Sequence, residues 1–154
     1  MLKAGDKAPE FKSLVTDGTT VALKDLKGKN VVLYFYPKDD TPGCTVEACA
    51  FRDSFKAIEK LNAVILGVSP DGVKAHVKFT EKFQLPFPLL ADEDKKICQD
   101  YGVWVEKSMY GKKYMGVARS TFIINKDGKI AKVFEKVKSE GHNVEVIEAL
   151  KSLP

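Results

Sequence analysis

Two unbroken apolar runs, Val31-Val32-Leu33-Tyr34-Phe35-Tyr36 and Ala63-Val64-Ile65-Leu66-Gly67-Val68, constrain what this chain can fold into more than any other feature. Runs of this length without polar alternation suit strands covered on both faces, and the stretch between them reads as helix, so together they make a βαβ unit. Such crossovers are almost always right-handed. The connection out of the first strand is just as specific: Pro37-Lys38-Asp39-Asp40-Thr41-Pro42-Gly43-Cys44-Thr45-Val46-Glu47-Ala48-Cys49 opens a helical pattern. Thr41-Pro42 reads as an N-cap followed by proline at the first helical position. Cys44 then falls at the third position, where the Thr41 hydroxyl can reach its backbone N–H. A thiolate there faces unpaired N–H groups and the positive end of the helix dipole, which favours the charged, nucleophilic form.

Cys44, Ala48, Phe51, Phe55 and Ile58 recur at helical spacing and form one apolar stripe, which places Cys44 on the buried face. On ideal geometry Cys49 lies about 140° further round and roughly 8.6 Å away between Cα atoms, beyond the ~7 Å that a disulfide can span. Joining the two requires at least one turn to unwind. The expected chemistry is attack by Cys44 on an electrophilic oxygen to give a sulfenic acid, then unravelling of the first turns so that Cys49 can condense with it. Pro42-Gly43 suits such a weak helix start.

The other elements complete an α/β domain, expected to be single and to span residues 1–154, since this length and a hydrophobic fraction of 44% fill one core. Phe11–Val15 and Thr20–Leu23 flank Asp17-Gly18 as an N-terminal β-hairpin. Helix is expected over Asp71–Phe83, extended chain over Phe87–Leu90 and a short helix over Glu93–Tyr101. A hairpin follows from Ser120–Ile124 through Asn125-Lys126-Asp127-Gly128-Lys129 to Ile130–Phe134, and Asn143–Leu153 closes as helix. That order is the order of the thioredoxin-like fold, a central mixed sheet flanked by helices. Trp104, Tyr110 and Tyr114, interspersed with Lys107, Lys112 and Lys113, read as an exposed loop with anchored aromatics.

The net charge of +4 is spread along the chain with no basic run longer than a pair, which argues against nucleic acid as a partner. The N-terminus has no signal-peptide core and no stretch approaches a membrane span, so a cytoplasmic location is expected. Three cysteines do not make a secreted disulfide framework. Cys98, without a capping or cationic context, reads as structural; His76 reads as an ordinary helical residue and His142 as a turn or cap. One C-x-x-x-x-C spacing without a second cysteine pair does not complete a zinc site.

The stretch Tyr34 to Cys49, followed by Phe51-Arg52-Asp53, resembles the active-site signature of the Q-type peroxiredoxins, the bacterioferritin comigratory proteins. Similarity extends to Gly5-Asp6-Lys7-Ala8-Pro9-Glu10-Phe11, Gly67-Val68-Ser69-Pro70-Asp71 and Arg119-Ser120-Thr121-Phe122. The resemblance implies a peroxidatic Cys44 and a resolving Cys49 that form a disulfide within one subunit. It implies that Thr41 and the Cys44 N–H orient the peroxide, that Arg119 stabilises the thiolate and the developing negative charge, and that Pro37 shields the thiol from water. Glu47 also matches, but an acidic neighbour opposes a thiolate unless a cation pairs with it, so a supporting hydrogen-bond role is expected. The implied activity is reduction of hydrogen peroxide and organic hydroperoxides without metal, haem or flavin. Thioredoxin or a similar thiol protein would recycle it, no membrane is needed, and a monomer suffices.

Two other readings compete. A thioredoxin-like disulfide reductase usually carries C-x-x-C and a proline before the facing strand, and Ala118-Arg119-Ser120-Thr121 has none. A redox-sensing module using the same cysteine switch would not turn over in the steady state. Taken singly, Thr41 is an N-cap, Pro37 a strand terminator, Arg119 a surface arginine and Cys49 a buried helical cysteine.

Overall fold

A computed structural model describes residues 2–153. The chain opens with a small antiparallel hairpin, β1 (Lys12–Leu14) and β2 (Thr20–Ala22), followed by a 3-10 turn at Leu23–Leu26. The two apolar runs become β3 (Asn30–Phe35) and β4 (Ala63–Ser69), paired in parallel, with α1 (Pro42–Asp53) and α2 (Phe55–Glu59) between them. Next come α3 (Val73–Phe83), β5 (Leu89–Ala91) and α4 (Lys96–Asp100). The chain ends with β6 (Trp104–Met109), β7 (Lys112–Val117), β8 (Ser120–Ile124), β9 (Ile130–Phe134) and α5 (His142–Lys151).

The central sheet has the strand order β5-β4-β3-β8-β9; β3, β4 and β5 pair in parallel, β8 pairs antiparallel to β3, and β9 pairs antiparallel to β8. Because side chains alternate along a strand, β3 feeds two separate cores. Val32, Tyr34 and Tyr36 pack with Cys44, Ala48 and Phe51 of α1, Phe79 of α3, and Val146 and Leu150 of α5. Val31, Leu33 and Phe35 point the other way, against Ile97 and Cys98 of α4, Tyr101 just after it, and Phe11 and Val15 from the N-terminal hairpin region. All six β3 residues are buried, which is why the run shows no polar alternation.

The expected βαβ unit, N-terminal hairpin and closing helix are present. The expected loop around Trp104–Tyr114 is instead the β6–β7 hairpin, six residues on each arm and hydrogen-bonded apart from the central sheet. Its turn has positive φ at both Tyr110 (+52°) and Gly111 (+79°), the geometry of a tight primed hairpin turn. Tyrosine is an unusual residue there, and the outer part of the hairpin is exposed on both faces, so apolar and polar residues do not sort into the clean alternation that betrays a half-buried strand.

Candidate active site

The start of α1 follows the sequence expectation in outline: Thr41 is extended at φ −101° and ψ 157°, Pro42 is the first helical residue, and Cys44 sits in the first turn, 1% exposed. One detail is corrected. The Thr41 side chain does not cap the helix; its hydroxyl turns back and donates to the Lys38 carbonyl oxygen at 2.9 Å. The left-handed Asp40 (φ +55°) folds the preceding loop tightly enough to bring that carbonyl within reach. The first turn is consequently left without a side-chain cap, and its N–H groups remain available to an anion or an incoming oxygen.

The expected apolar stripe carries a charged member. Cys44, Glu47, Ala48 and Phe51 are the buried residues of α1, one face at i, i+3, i+4 and i+7. Glu47 is completely buried and is paired by Arg119, whose Nη1 donates to Glu47 Oε1 at 2.7 Å while Nη2 approaches Cys44 Sγ at 3.2 Å. The guanidinium fork thus serves a carboxylate with one arm and the sulfur with the other. Burial pushes the Glu47 carboxyl up to about 7 against the opposing pull of Arg119. At Arg119 burial likewise works against the charge, but Glu47 and then Cys44 outweigh it and hold the guanidinium above its ordinary value. Burial wins at the enclosed carboxylate and pairing wins at the guanidinium, whose side chain keeps 18% of its surface exposed.

Arg119 is placed by backbone rather than by a regular element. It lies between β7 and β8, where Ala118 N–H donates to the Val103 carbonyl at 2.8 Å and Val137 N–H donates to the carbonyl of Arg119 itself at 3.1 Å. Gly43 lets it come close, since a Cβ there would stand 3.2 Å from Arg119 Nη2 and 3.4 Å from Ser139 Oγ. Pro37 is half-buried in the loop leading to Thr41, and Cys49 is half-buried on α1 with a free thiol, so the helix holds the two cysteines apart.

Several residues at the site carry no sequence signal of their role. His76 is not an ordinary helical histidine: it is fully buried, with Nδ1 2.6 Å from Asp39 Oδ2 and Nε2 2.8 Å from the Leu90 carbonyl oxygen. His142 is the first residue of α5 rather than part of a turn; its buried ring has Nε2 2.8 Å from Thr121 Oγ1 and stands edge-on to Phe51 of α1. Lys107 of β6 is held below the ordinary lysine value first by burial and then by Arg119, with the Cys44 sulfur pulling the other way, so the β6–β7 hairpin stands beside the site. Tyr34 Oη and Glu47 Oε2, both fully buried, have no hydrogen-bond partner among the described residues. Cys98 is buried on the opposite face of the sheet; burial and then Asp92 push its thiol well up, while the Asp92 carboxylate accepts the N–H groups of Ile97 and Cys98 at 3.0 and 2.8 Å. Among the described residues no cluster of three or more His, Cys, Asp or Glu is arranged to hold a metal ion, and no helix is long and apolar enough to cross a membrane.

Residues 4–133 match the AhpC/TSA family. The chain is 52% identical over 149 residues to a putative peroxiredoxin bcp of Coxiella burnetii, covering 97% of this chain and 99% of that one. It is 50% identical over 152 residues to peroxiredoxin Bcp of Bacillus subtilis, covering 99% and 97%. Among solved structures, peroxiredoxin Q of Xanthomonas campestris superposes with a TM-score of 0.91 at 40% identity, covering 97% of each chain. A bacterioferritin comigratory protein from the same organism, solved as trapped intermediate and ligand complexes bearing on its alkyl peroxide reduction, superposes at 0.91 with 39% identity, covering 97% of this chain and 98% of that one.

Proposed function

Because this chain belongs to the AhpC/TSA family, in its Q-type peroxiredoxin Bcp branch, we propose that Cys44 is the peroxidatic thiol of a thiol-dependent peroxidase built on the thioredoxin-like fold. The observation that carries the reading is the fork of Arg119 between Glu47 and Cys44 Sγ. The Cys44 thiolate attacks the distal oxygen of a hydroperoxide; the S–O bond forms as the O–O bond breaks. Sulfur is oxidised by two electrons to the sulfenic acid, and the leaving oxygen takes a proton and departs as water or an alcohol. Arg119 and the uncapped N–H groups of the first turn face the sulfur and the oxygen on which negative charge develops, where fixed donors count most. Glu47 keeps the guanidinium oriented, Thr41 and the Cys44 backbone N–H orient the peroxide oxygens, and Pro37 shields the thiol from water.

In the second step the Cys49 thiolate attacks Cys44 Sγ, water leaves, and a disulfide forms once the first turn has unwound. A dithiol reductant, thioredoxin or a similar protein, restores both thiols and is itself oxidised to a disulfide. Both cysteines lie in one chain, which supports a single domain working as a monomer, with neither nucleic acid nor membrane required. Three free cysteines suit a reducing compartment, the cytoplasm.

The test is one equivalent of hydrogen peroxide added to the reduced protein, with alkylation within a second and mapping of thiols by mass spectrometry. A Cys44–Cys49 disulfide with Cys98 alkylated is the expected product. Three alkylated thiols would remove Cys44 from the role and return the disulfide-exchange and sensing readings to the front.

A further inference from the structure

Resolution by Cys49 requires the start of α1 to unwind while the domain around it stays folded, and a buried network stands where that unwinding has to stop. Asp39, five residues before Cys44, is 8% exposed. Its Oδ1 accepts the Tyr36 hydroxyl at 2.6 Å, its Oδ2 lies 2.6 Å from His76 Nδ1, and its backbone N–H donates to Asp71 Oδ2 at 2.8 Å. The Ser69 hydroxyl holds the same Asp71 oxygen at 2.7 Å, and His76 Nε2 reaches the Leu90 carbonyl oxygen at 2.8 Å. A carbonyl oxygen only accepts, so Nε2 carries a proton and donates it there; the hydrogen bond between Nδ1 and Oδ2 then holds a second proton. Both ring nitrogens and both carboxylate oxygens are thereby satisfied. The loop after β3 is bolted to α3, to the end of β4 and to β5, none of which includes the catalytic helix.

Past Asp39 these tethers stop. Asp40 has a left-handed backbone and an ion pair to Lys82 whose side chains are both about half exposed, 46% and 59%. The Thr41 side chain bonds to Lys38, inside the same loop, the Thr41 carbonyl accepts only the helical Thr45 N–H at 2.8 Å, and the first turn of α1 has no side-chain cap. Tyr36 and Asp39 are therefore held by buried, charge-assisted bonds, and residues 40–43 by surface and local ones that water readily replaces.

We propose that His76 and Asp39 are positioning residues that hold the loop in the geometry needed for peroxide attack and confine the unwinding for disulfide formation to the segment beginning at Asp40. The proposal rests on Cys49 being the resolving thiol. His76 touches no reacting atom; it acts through Asp39. Removing it loosens the start of the helix, so attack on peroxide slows while Cys49 reaches Cys44 sooner. General destabilisation would instead depress both steps.

The experiment measures both rate constants by rapid quench, alkylation and mass spectrometry, alongside amide hydrogen exchange over residues 36–49. In His76→Asn, whose side chain is too short to span Asp39 and Leu90, the ratio of resolution rate to attack rate should rise about tenfold, the scale expected when one charge-assisted bond is lost. Exchange should quicken at residues 36–39 as well as beyond them. Asp39→Asn can donate its amide N–H to a neutral His76 and still accept from Tyr36, so it should return the ratio to within about threefold of the wild type. Rates that move together, a ratio that stays put, or an Asp39→Asn variant as altered as His76→Asn would each overturn the proposal. Should His76→Asn fail to fold, Tyr36→Phe removes one bond to Asp39, keeps the ring, and reads the same ratio. Wild-type protein forming no Cys44–Cys49 disulfide would be a failure of the resolving role itself, visible before any variant is made.

Discussion

Arg119 Nη2 lies 3.2 Å from Cys44 Sγ although 75 residues separate the two in the chain. The approach depends on Glu47 on the far side, which takes the other arm of the fork, and on Gly43, whose missing side chain leaves room for the guanidinium. The sulfur, the carboxylate and the glycine all belong to the first two turns of α1, whereas the arginine arrives from the junction of β7 and β8. Docking of that junction against the helix completes the site.

Replacing Arg119 by Met keeps the side chain's bulk and removes its donors. The rate constant for peroxide attack should fall about 100-fold or more, the usual effect of deleting a donor aimed at developing charge. Stability should fall too, since Glu47 is left buried without its cation. Stopped-flow kinetics with urea melts checks both. An unchanged attack rate would leave Arg119 a purely structural partner of Glu47.

Glu47 should make stability fall as pH rises. Its carboxyl is pushed up to about 7 in the folded chain from an ordinary value of 4.5, so between these values the folded state binds more protons than the unfolded one. Stability from this group is therefore full below about pH 4.5, declines as pH climbs through 7, and then levels off. Between pH 4.5 and 8 the loss should be on the order of 2–3 kcal/mol. Glu47→Gln should flatten that part of the profile, measured as unfolding free energy at several pH values.

Gly43→Ala separates catalysis from folding. The added Cβ would press on Arg119 Nη2 at 3.2 Å, so the guanidinium must retreat by a few tenths of an ångström. Alanine meanwhile suits a helix better than glycine by about 0.5–1 kcal/mol. Slower peroxide attack, by several-fold, with an equal or higher melting temperature is the expected pair of results. Attack at the wild-type rate would show that Arg119 tolerates the shift.

Cys49→Ser should permit one fast reaction with peroxide and then stall. Without a resolving thiol the sulfenic acid at Cys44 persists and goes on to the sulfinic acid under excess peroxide. Mass spectrometry would show additions of one and then two oxygens on the peptide containing Cys44. Sustained turnover with a thiol protein as reductant would mean that another thiol resolves Cys44.

Local signals account for what is legible in the amino-acid sequence. The runs of β3 and β4 are buried on both faces and read as such, and Thr41-Pro42 marks the start of α1 because a residue before proline and a proline at the first helical position have few other uses. The β6–β7 hairpin stayed hidden: its arms are exposed near the tip, and its turn places Tyr110 where asparagine or aspartate is the common signal. Thr41 was legible as the N-cap residue but not the direction of its hydroxyl, because the left-handed Asp40 offers it the Lys38 carbonyl instead.

His76 and Glu47 show the same divide. On its helix His76 has no neighbour in sequence that hints at Asp39, 37 positions away, and the expectation that Glu47 needs a cation could not by itself say which one lay in reach. The amino-acid sequence alone determined β3, β4, the start of α1 and the five-residue interval from Cys44 to Cys49, since periodicity, caps and helical rise act between residues close in the chain. Only the tertiary structure decided the partners of those groups: Arg119 at Cys44 and Glu47, and His76 at Asp39. Such pairings form because packing excludes water and leaves each buried charge with one remaining partner, and that depends on how distant segments close over one another.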